Sequence, residues 1–256
     1  MKGFTAFTNK EFMDQIRSGR LLAFGATFII LGIFSPLMAK LTPMLYESYS
    51  ETLAEQGIII GEITVTAADS WGQFIKNVPL AVLITVIIFS GIFSNEYTKG
   101  TLIPLFTKGL ERHVAVLSKY FVMFVMWAVG IWVIFGITYV YTAFYWDNSI
   151  MNNLIFVCIG WWIFGIFMIS ALTAVSAFAT SMVQVLLGTG AIYIVLFIMS
   201  QFSEISGYLP VRLTKSAGLL AGTEAPNDFT AALIITVTAS IVLLGIAMAA
   251  TDRRQL

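Results

Sequence analysis

The amino-acid sequence predicts an all-α protein that crosses a membrane six times. Of its 256 residues, 58% are hydrophobic and only 11% are charged, which is far from the balance of a soluble domain. Six apolar segments approach the roughly 20 residues that a helix needs to cross a bilayer. Alternating ten-residue strands are absent from the sequence, which disfavours a membrane barrel.

The six spans form one predicted transmembrane domain over residues 1–256. Their approximate bounds are 21–39, 78–94, 121–145, 154–178, 182–201 and 229–250. Backbone groups cannot stay unpaired in lipid, so each span is expected to be a helix. Little more than Thr180-Ser181 separates spans four and five, which predicts a tight hairpin. No span has Asp, Glu, Lys or Arg near its middle, which disfavours an ion-coupled carrier.

A short amphipathic helix is predicted before the first span, over residues 8–20. Thr8 and Glu11 have the spacing of a capping box, and Phe12 and Ile16 lie one turn apart. Such a helix would lie at the membrane interface and lead into the first span.

The two long segments on the opposite side contain signals for short helices. Thr42-Pro43 indicates the start of one helix, and Ser70 is the expected cap of another. In the 202–228 segment, Pro210 predicts a re-entrant helix that dips in and returns near Gly222.

The charge distribution predicts that both termini are cytoplasmic. Six spans put both termini and the 95–120 loop on one side, which receives ten of the fourteen basic residues. The other side receives nine of the fourteen acidic residues. Since basic segments are retained in the cytoplasm, this arrangement predicts a multi-pass protein of the cell membrane, expected to be a bacterial cytoplasmic membrane.

The loop between spans two and three combines dense charge with an apolar run. The run Leu102-Ile103-Pro104-Leu105-Phe106 is flanked by Lys99, Lys108 and Arg112. Thr101 can cap a short helix in which Pro104 lies in the first turn, where a missing N–H is tolerated. This apolar knob, formed by residues 102–106, could fill a groove on a soluble partner or insert into the membrane interface. The residues alone leave both possibilities open.

The sequence carries no motif for catalysis or ATP binding. GxxxxGK[ST], HExxH, GxSxG and Cys/His clusters do not occur, and His113 and Cys158 are the only residues of their types. No catalytic residue, metal ligand or cofactor is therefore expected in this chain, and energy for uphill transport would come from another protein.

Several of these residues resemble the permease subunits of type-2 ABC exporters. Glu96, Gly100-Thr101-Leu102, Arg112 and Lys119-Tyr120 are similar to the loop between their second and third spans. KEFMDQIRSGRLL, at 10–22, is similar to their N-terminal interfacial helix. The resemblance covers essentially the whole chain, although Pro104 is unusual and KGLERH lacks the proline that often precedes the family's arginine.

The resemblance implies a cytoplasmic coupling helix over 97–106 that sits on a separate ATPase. Two permease subunits, identical or different, would pair with two ATPase subunits, which bind ATP and Mg; no nucleic-acid partner is expected. The implied ATPase-coupling residues are Glu96, Lys99, Gly100, Thr101, Leu102, Ile103, Leu105, Phe106 and Arg112.

Aromatic residues in the third span indicate a class of cargo. Trp127, Trp132 and Phe135 lie deep in this span and could line an apolar substrate path, although helix packing explains any one of them as well. With no midplane charge, the predicted cargo is amphipathic or hydrophobic, such as a membrane-active peptide or a drug. The alternatives are export of lipid, polysaccharide or sodium, and a membrane scaffold or sensor that binds a partner through the 95–120 loop.

Overall fold

The computed structural model describes residues 2–55, 64–101, 103–107 and 109–253. In these residues six helices are long and apolar enough to cross a membrane, which confirms the predicted fold class and number of spans. In chain order the α-helices are α1 Lys2–Arg17, α2 Arg20–Glu55, α3 Ala67–Phe89, α4 Ser94–Lys99, α5 Ile103–Thr107, α6 Arg112–Tyr145, α7 Leu154–Phe178, α8 Met182–Met199, α9 Ser203–Ser206, α10 Ala217–Ala221 and α11 Thr230–Arg253. Short 3₁₀ turns lie at Asn148–Ile150, Pro210–Thr214 and Pro226–Phe229.

The fourth and fifth spans begin where the sequence predicts. Asn153, with a left-handed φ of 54°, precedes α7, which has the predicted bounds 154–178. Ser181 caps α8 by accepting the N–H of Gln184 at 3.3 Å. Polar residues between two apolar runs leave little freedom in these boundaries.

The first span is longer than predicted, because α2 continues through two prolines. The predicted helix start at Thr42-Pro43 is wrong: Thr42 is interior, and its hydroxyl donates to the Met38 carbonyl at 2.8 Å. Pro36 cannot donate to the Gly32 carbonyl. The buried Thr138 hydroxyl of α6 donates to that carbonyl instead, at 3.1 Å. Tertiary packing thus replaces the hydrogen bond that proline removes.

The second span also begins earlier than predicted. α3 starts at Ala67, after a cap in which the Thr66 N–H donates to the Asp69 carboxylate at 2.8 Å. The predicted cap residue Ser70 is buried inside the helix, so that prediction is wrong. Trp71 and Phe74 follow it and are fully buried, which makes this first part of α3 part of the packed core.

The N-terminal helix begins at Lys2 rather than at Thr8, so the predicted capping box does not form. α1 ends before Gly19, whose φ of 72° turns the chain directly into α2. This turn places the end of α1 next to the start of the first span.

Helix α7 lies at the centre of the bundle and packs against α3, α6, α8 and α11. Glycines allow large rings to approach the helices closely. A side chain at Gly165 would overlap the Trp127 ring, and one at Gly130 would overlap Phe28. By contrast, α8 buries only Val185 and Thr189, which leaves most of its surface open to lipid or to another subunit.

The segment before the last span folds back onto the bundle. Its 3₁₀ turn begins at Pro210 and packs on α7 and α11, while α10 packs on α3 and ends at Gly222. Val211, Leu213 and Leu219 are buried. A short helical turn at Pro210 is therefore present, and its depth in the bilayer stays a prediction.

Candidate functional site

The loop between the second and third spans is divided at Gly100. With a left-handed φ of 63°, Gly100 ends α4, and its N–H donates to the Tyr97 carbonyl at 3.2 Å. The predicted helix over 97–106 is therefore interrupted at Gly100, and the described residues after it include the short helix α5, Ile103–Thr107. Residues 94–107, where the resemblance predicts a coupling helix, are called the coupling segment below. Leu102 lies outside the described residues, as do the side chains of Lys99, Ile103 and Leu105.

Four charged side chains form a closed ring at the base of the coupling segment. Lys10 and Glu11 come from α1, Glu96 from α4 and Lys119 from α6. The Lys119 Nζ lies 2.7 Å from both the Glu11 Oε2 and the Glu96 Oε2. The Lys10 Nζ lies 2.8 Å from the Glu11 Oε1 and from the Glu96 Oε1. Each charge in this charge ring thus has two opposite neighbours.

The charge ring is buried on one side and open on the other. The Lys119 and Glu11 side chains are 1% and 2% exposed, and the Lys10 side chain is 39% exposed. Burial alone would lower the pKa of Lys10, but hydrogen bonds to Glu11, Glu96 and Asp14 outweigh it and raise this pKa. Because each buried charge is compensated, the ring joins three elements through contacts that are costly to break one at a time.

Sequence reasoning assigned Glu96 to this region but missed the ring. It placed Lys10 in an interfacial helix and Glu11 in the capping box of that helix. Glu11 and Lys119 are 108 positions apart, so no local spacing reveals their contact. The available signal was that both lie at the predicted cytoplasmic end of the bundle.

Arg112 makes a second link between the coupling segment and the spans. Its Nη1 donates to the Thr251 and Asp252 carbonyls, at 3.3 and 3.1 Å, at the end of α11. Its guanidinium carbon lies 5.7 Å from the centre of the Phe106 ring. Phe106 also packs against Phe7 and Ala115, so part of the predicted apolar knob contacts this chain itself.

The predicted substrate-path residues occupy different environments. Trp127 is fully buried, and its indole N–H donates to the Trp162 carbonyl at 2.9 Å, so in this conformation it packs between helices. Trp132 is 39% exposed and lies edge-on to Phe135, with ring centres 5.7 Å apart. Their role along a substrate path stays a prediction.

An apolar groove of about 520 Å³ lies between α3, α7 and α8, away from those three residues. Its walls include Val82, Val86, Phe164, Met168, Leu186 and Tyr193, and the described residues that line it include no charged side chain. The groove can therefore hold an apolar group and offers no counter-charge to an ion.

One comparison with known proteins bears on these features. The sequence profile of a family described as "ABC-2 family transporter protein" matches residues 6–255. The match spans the charge ring, the coupling segment and the groove. No curated protein matches the chain.

Proposed function

This chain belongs to the ABC-2 transporter family, and on that premise we propose that it is the permease subunit of an exporter for amphipathic or hydrophobic cargo. Membership makes it the membrane component of an ABC transporter, which works with a partner ATPase subunit. The proposal adds that the coupling segment docks this ATPase and that the apolar groove belongs to the cargo path.

The charge ring is the observation that carries the coupling role. It attaches the start of the coupling segment, through Glu96, to α1 and to α6. Pulling Glu96 away would leave charge uncompensated around Lys119, which is 1% exposed. A displacement of the coupling segment is therefore transmitted to the spans rather than absorbed in the loop.

Arg112 supports the same role at the other end of the coupling segment. It contacts the Phe106 ring and the last carbonyls of α11. Last-turn carbonyls have no intrahelical donor, and a cation at this end of a helix is favoured. Force on α5 would thus reach the sixth span directly.

The groove supports an apolar cargo. A strongly hydrated ion or a sugar would lose its bound water there, and the groove offers too few polar groups to replace the lost hydrogen bonds. The test is ATPase stimulation in the reconstituted complex. Amphipathic peptides are expected to stimulate ATP hydrolysis, whereas sodium and lipid-linked sugars are not. If sodium or a lipid-linked sugar stimulates hydrolysis and peptides do not, the proposed cargo is wrong.

Docking is tested at Pro104, which is exposed and lies in the first turn of α5. Asp is favourable in a first turn, so Pro104→Asp keeps the helix while placing a charge on the proposed docking surface. We expect co-purification with the ATPase to be lost. The matched control is Asn227→Asp, because Asn227 is exposed at the opposite end of the helix bundle. Equal co-purification of both variants would contradict docking through this segment and favour a scaffold that binds another partner.

A further inference from the structure

We propose that the groove between α3, α7 and α8 is a ligand site that recognises a hydrogen-bond acceptor, such as a carbonyl, on an otherwise apolar cargo. The site is formed within one chain. This inference rests on the proposed transport function and narrows its substrate class. It is carried by two buried polar atoms that have no hydrogen-bond partner among the described residues.

Trp161 and Thr189 both line the groove and are 2% and 0% exposed. Among the described residues, neither the Trp161 Nε1 nor the Thr189 Oγ1 has a hydrogen-bond partner. Trp162 also lacks an acceptor for its indole but does not line the groove. Buried polar groups without a partner are uncommon, so each of these two points to a ligand group that completes it.

Several comparable groups elsewhere in the bundle are paired. The Trp71 indole donates to the Asn148 side chain at 2.9 Å. The buried Thr173 and Thr236 hydroxyls donate to the carbonyls four residues earlier, at 2.8 and 2.6 Å. Thr189 makes no such bond, although it lies inside a helix like them.

The chemistry of the two groups defines the ligand. An indole N–H only donates, and a threonine hydroxyl both donates and accepts, so an acceptor oxygen satisfies either one. No charged side chain lines the groove among the described residues, so a charged ligand group would be buried without compensation. A volume of about 520 Å³ suits a drug-sized ligand.

Membrane depth separates a cargo from resident lipid. Trp161 lies seven residues into α7 and Thr189 seven residues into α8, about 10 Å along each helix axis. Because these consecutive helices run antiparallel, the two residues lie in opposite halves of the hydrocarbon region, where lipid tails carry no acceptor. A cargo that brings a carbonyl to either depth gains a hydrogen bond that the lipid tails cannot make.

Three substitutions isolate the site. Trp161→Phe removes the N–H and keeps a ring, while Thr189→Val removes the hydroxyl at nearly constant shape. Gly190 lines the groove, and a Cβ added there meets no atom within 4 Å, so Gly190→Phe is chosen to place a ring in the groove. Gly136 on α6 also has open space and lies outside the groove, so Gly136→Phe is the matched control.

The experiment is photolabelling of the complete transporter in lipid discs with benzophenone, which carries a ketone. Fluorenone and fluorene, which differ by one carbonyl, serve as competitors. We expect labelling of α7 or α8, and fluorenone should compete roughly fivefold better than fluorene, as one buried hydrogen bond allows. One of Trp161→Phe and Thr189→Val should remove this advantage, according to which of the two groups the ketone meets. Gly190→Phe should abolish labelling, while Gly136→Phe preserves it.

Equal competition by fluorenone and fluorene would overturn the proposal, because the groove would then hold hydrocarbon without recognising an acceptor. Labelling that persists in Gly190→Phe would also overturn it, since the label would lie elsewhere. Because labelling is measured without ATP, its failure is distinct from a failure of ATPase docking.

Discussion

The two ends of the bundle are held together by different chemistry. At the end that carries α1, the coupling segment and the last turn of α11, the central contact is the charge ring. At the opposite end the buried contacts are neutral: the Ser70 and Thr142 hydroxyls lie 2.6 Å apart, and Trp71 donates to Asn148. An ion pair at that end, Arg212–Glu224, is partly exposed.

This difference indicates at which end of the bundle a relative movement of the helices costs more free energy. Separating a buried charge pair leaves an uncompensated charge, whereas separating neutral hydroxyls costs much less. We therefore infer that the end with the charge ring moves as one body when the ATPase acts. We infer equally that the helices shift against one another at the opposite end.

The prediction with the most clear-cut outcome is that the end with the charge ring faces the cytoplasm. For this experiment the native cysteine, Cys158, which is fully buried, is first replaced by alanine. In that background, Thr101→Cys and Asn227→Cys place thiols at exposed positions on the two ends. An impermeant thiol reagent on intact cells should label position 227 and leave position 101 unlabelled. The reverse pattern would invert the orientation; labelling of both after lysis is the control.

Removing a charge from the buried side of the ring should have the largest effect on stability. Lys119→Met leaves Glu11 with one cation instead of two, and a loss of about 3–5 kcal/mol in unfolding free energy is expected. Replacing both partners, in Glu11→Leu with Lys119→Met, should cost less than Lys119→Met alone, measured by thermal unfolding in detergent. A double variant whose loss equals the sum of the singles would show that the two side chains do not interact.

The neutral pair at the opposite end should matter less. Ser70→Ala leaves the Thr142 hydroxyl buried without its partner and should cost about 1 kcal/mol. Adding Thr142→Val should recover part of that loss. A loss as large as that of Lys119→Met would remove the contrast between the ends.

The smallest effect is expected at the partly exposed ion pair. Glu224→Gln weakens the 2.8 Å contact with Arg212 and should cost about 0.5 kcal/mol, less at high salt. Glu204→Gln, at an exposed position, is the control and is expected to be neutral. Insensitivity of the Glu224→Gln effect to salt would indicate that packing, not charge, holds this segment.

The sequence predicted the spans well where polar residues mark their ends, as at Asn153 and Ser181. It failed where a tertiary contact decides the outcome. The continuation of α2 through Pro36 depends on the Thr138 hydroxyl, more than 100 positions away. The charge ring and the two unpaired groups of the groove depend on helix packing in the same way, so no local pattern contains them.

The length of α2 has a mechanical consequence. Its 36 residues span about 54 Å, whereas the hydrocarbon core is about 30 Å thick. Its base follows Gly19, directly after the helix that the charge ring holds. A rod of this length that pivots by about 10° at its base moves its far tip by roughly 9 Å. If the first span pivots at the charge ring, it works as a lever whose largest displacement falls on the opposite face of the membrane.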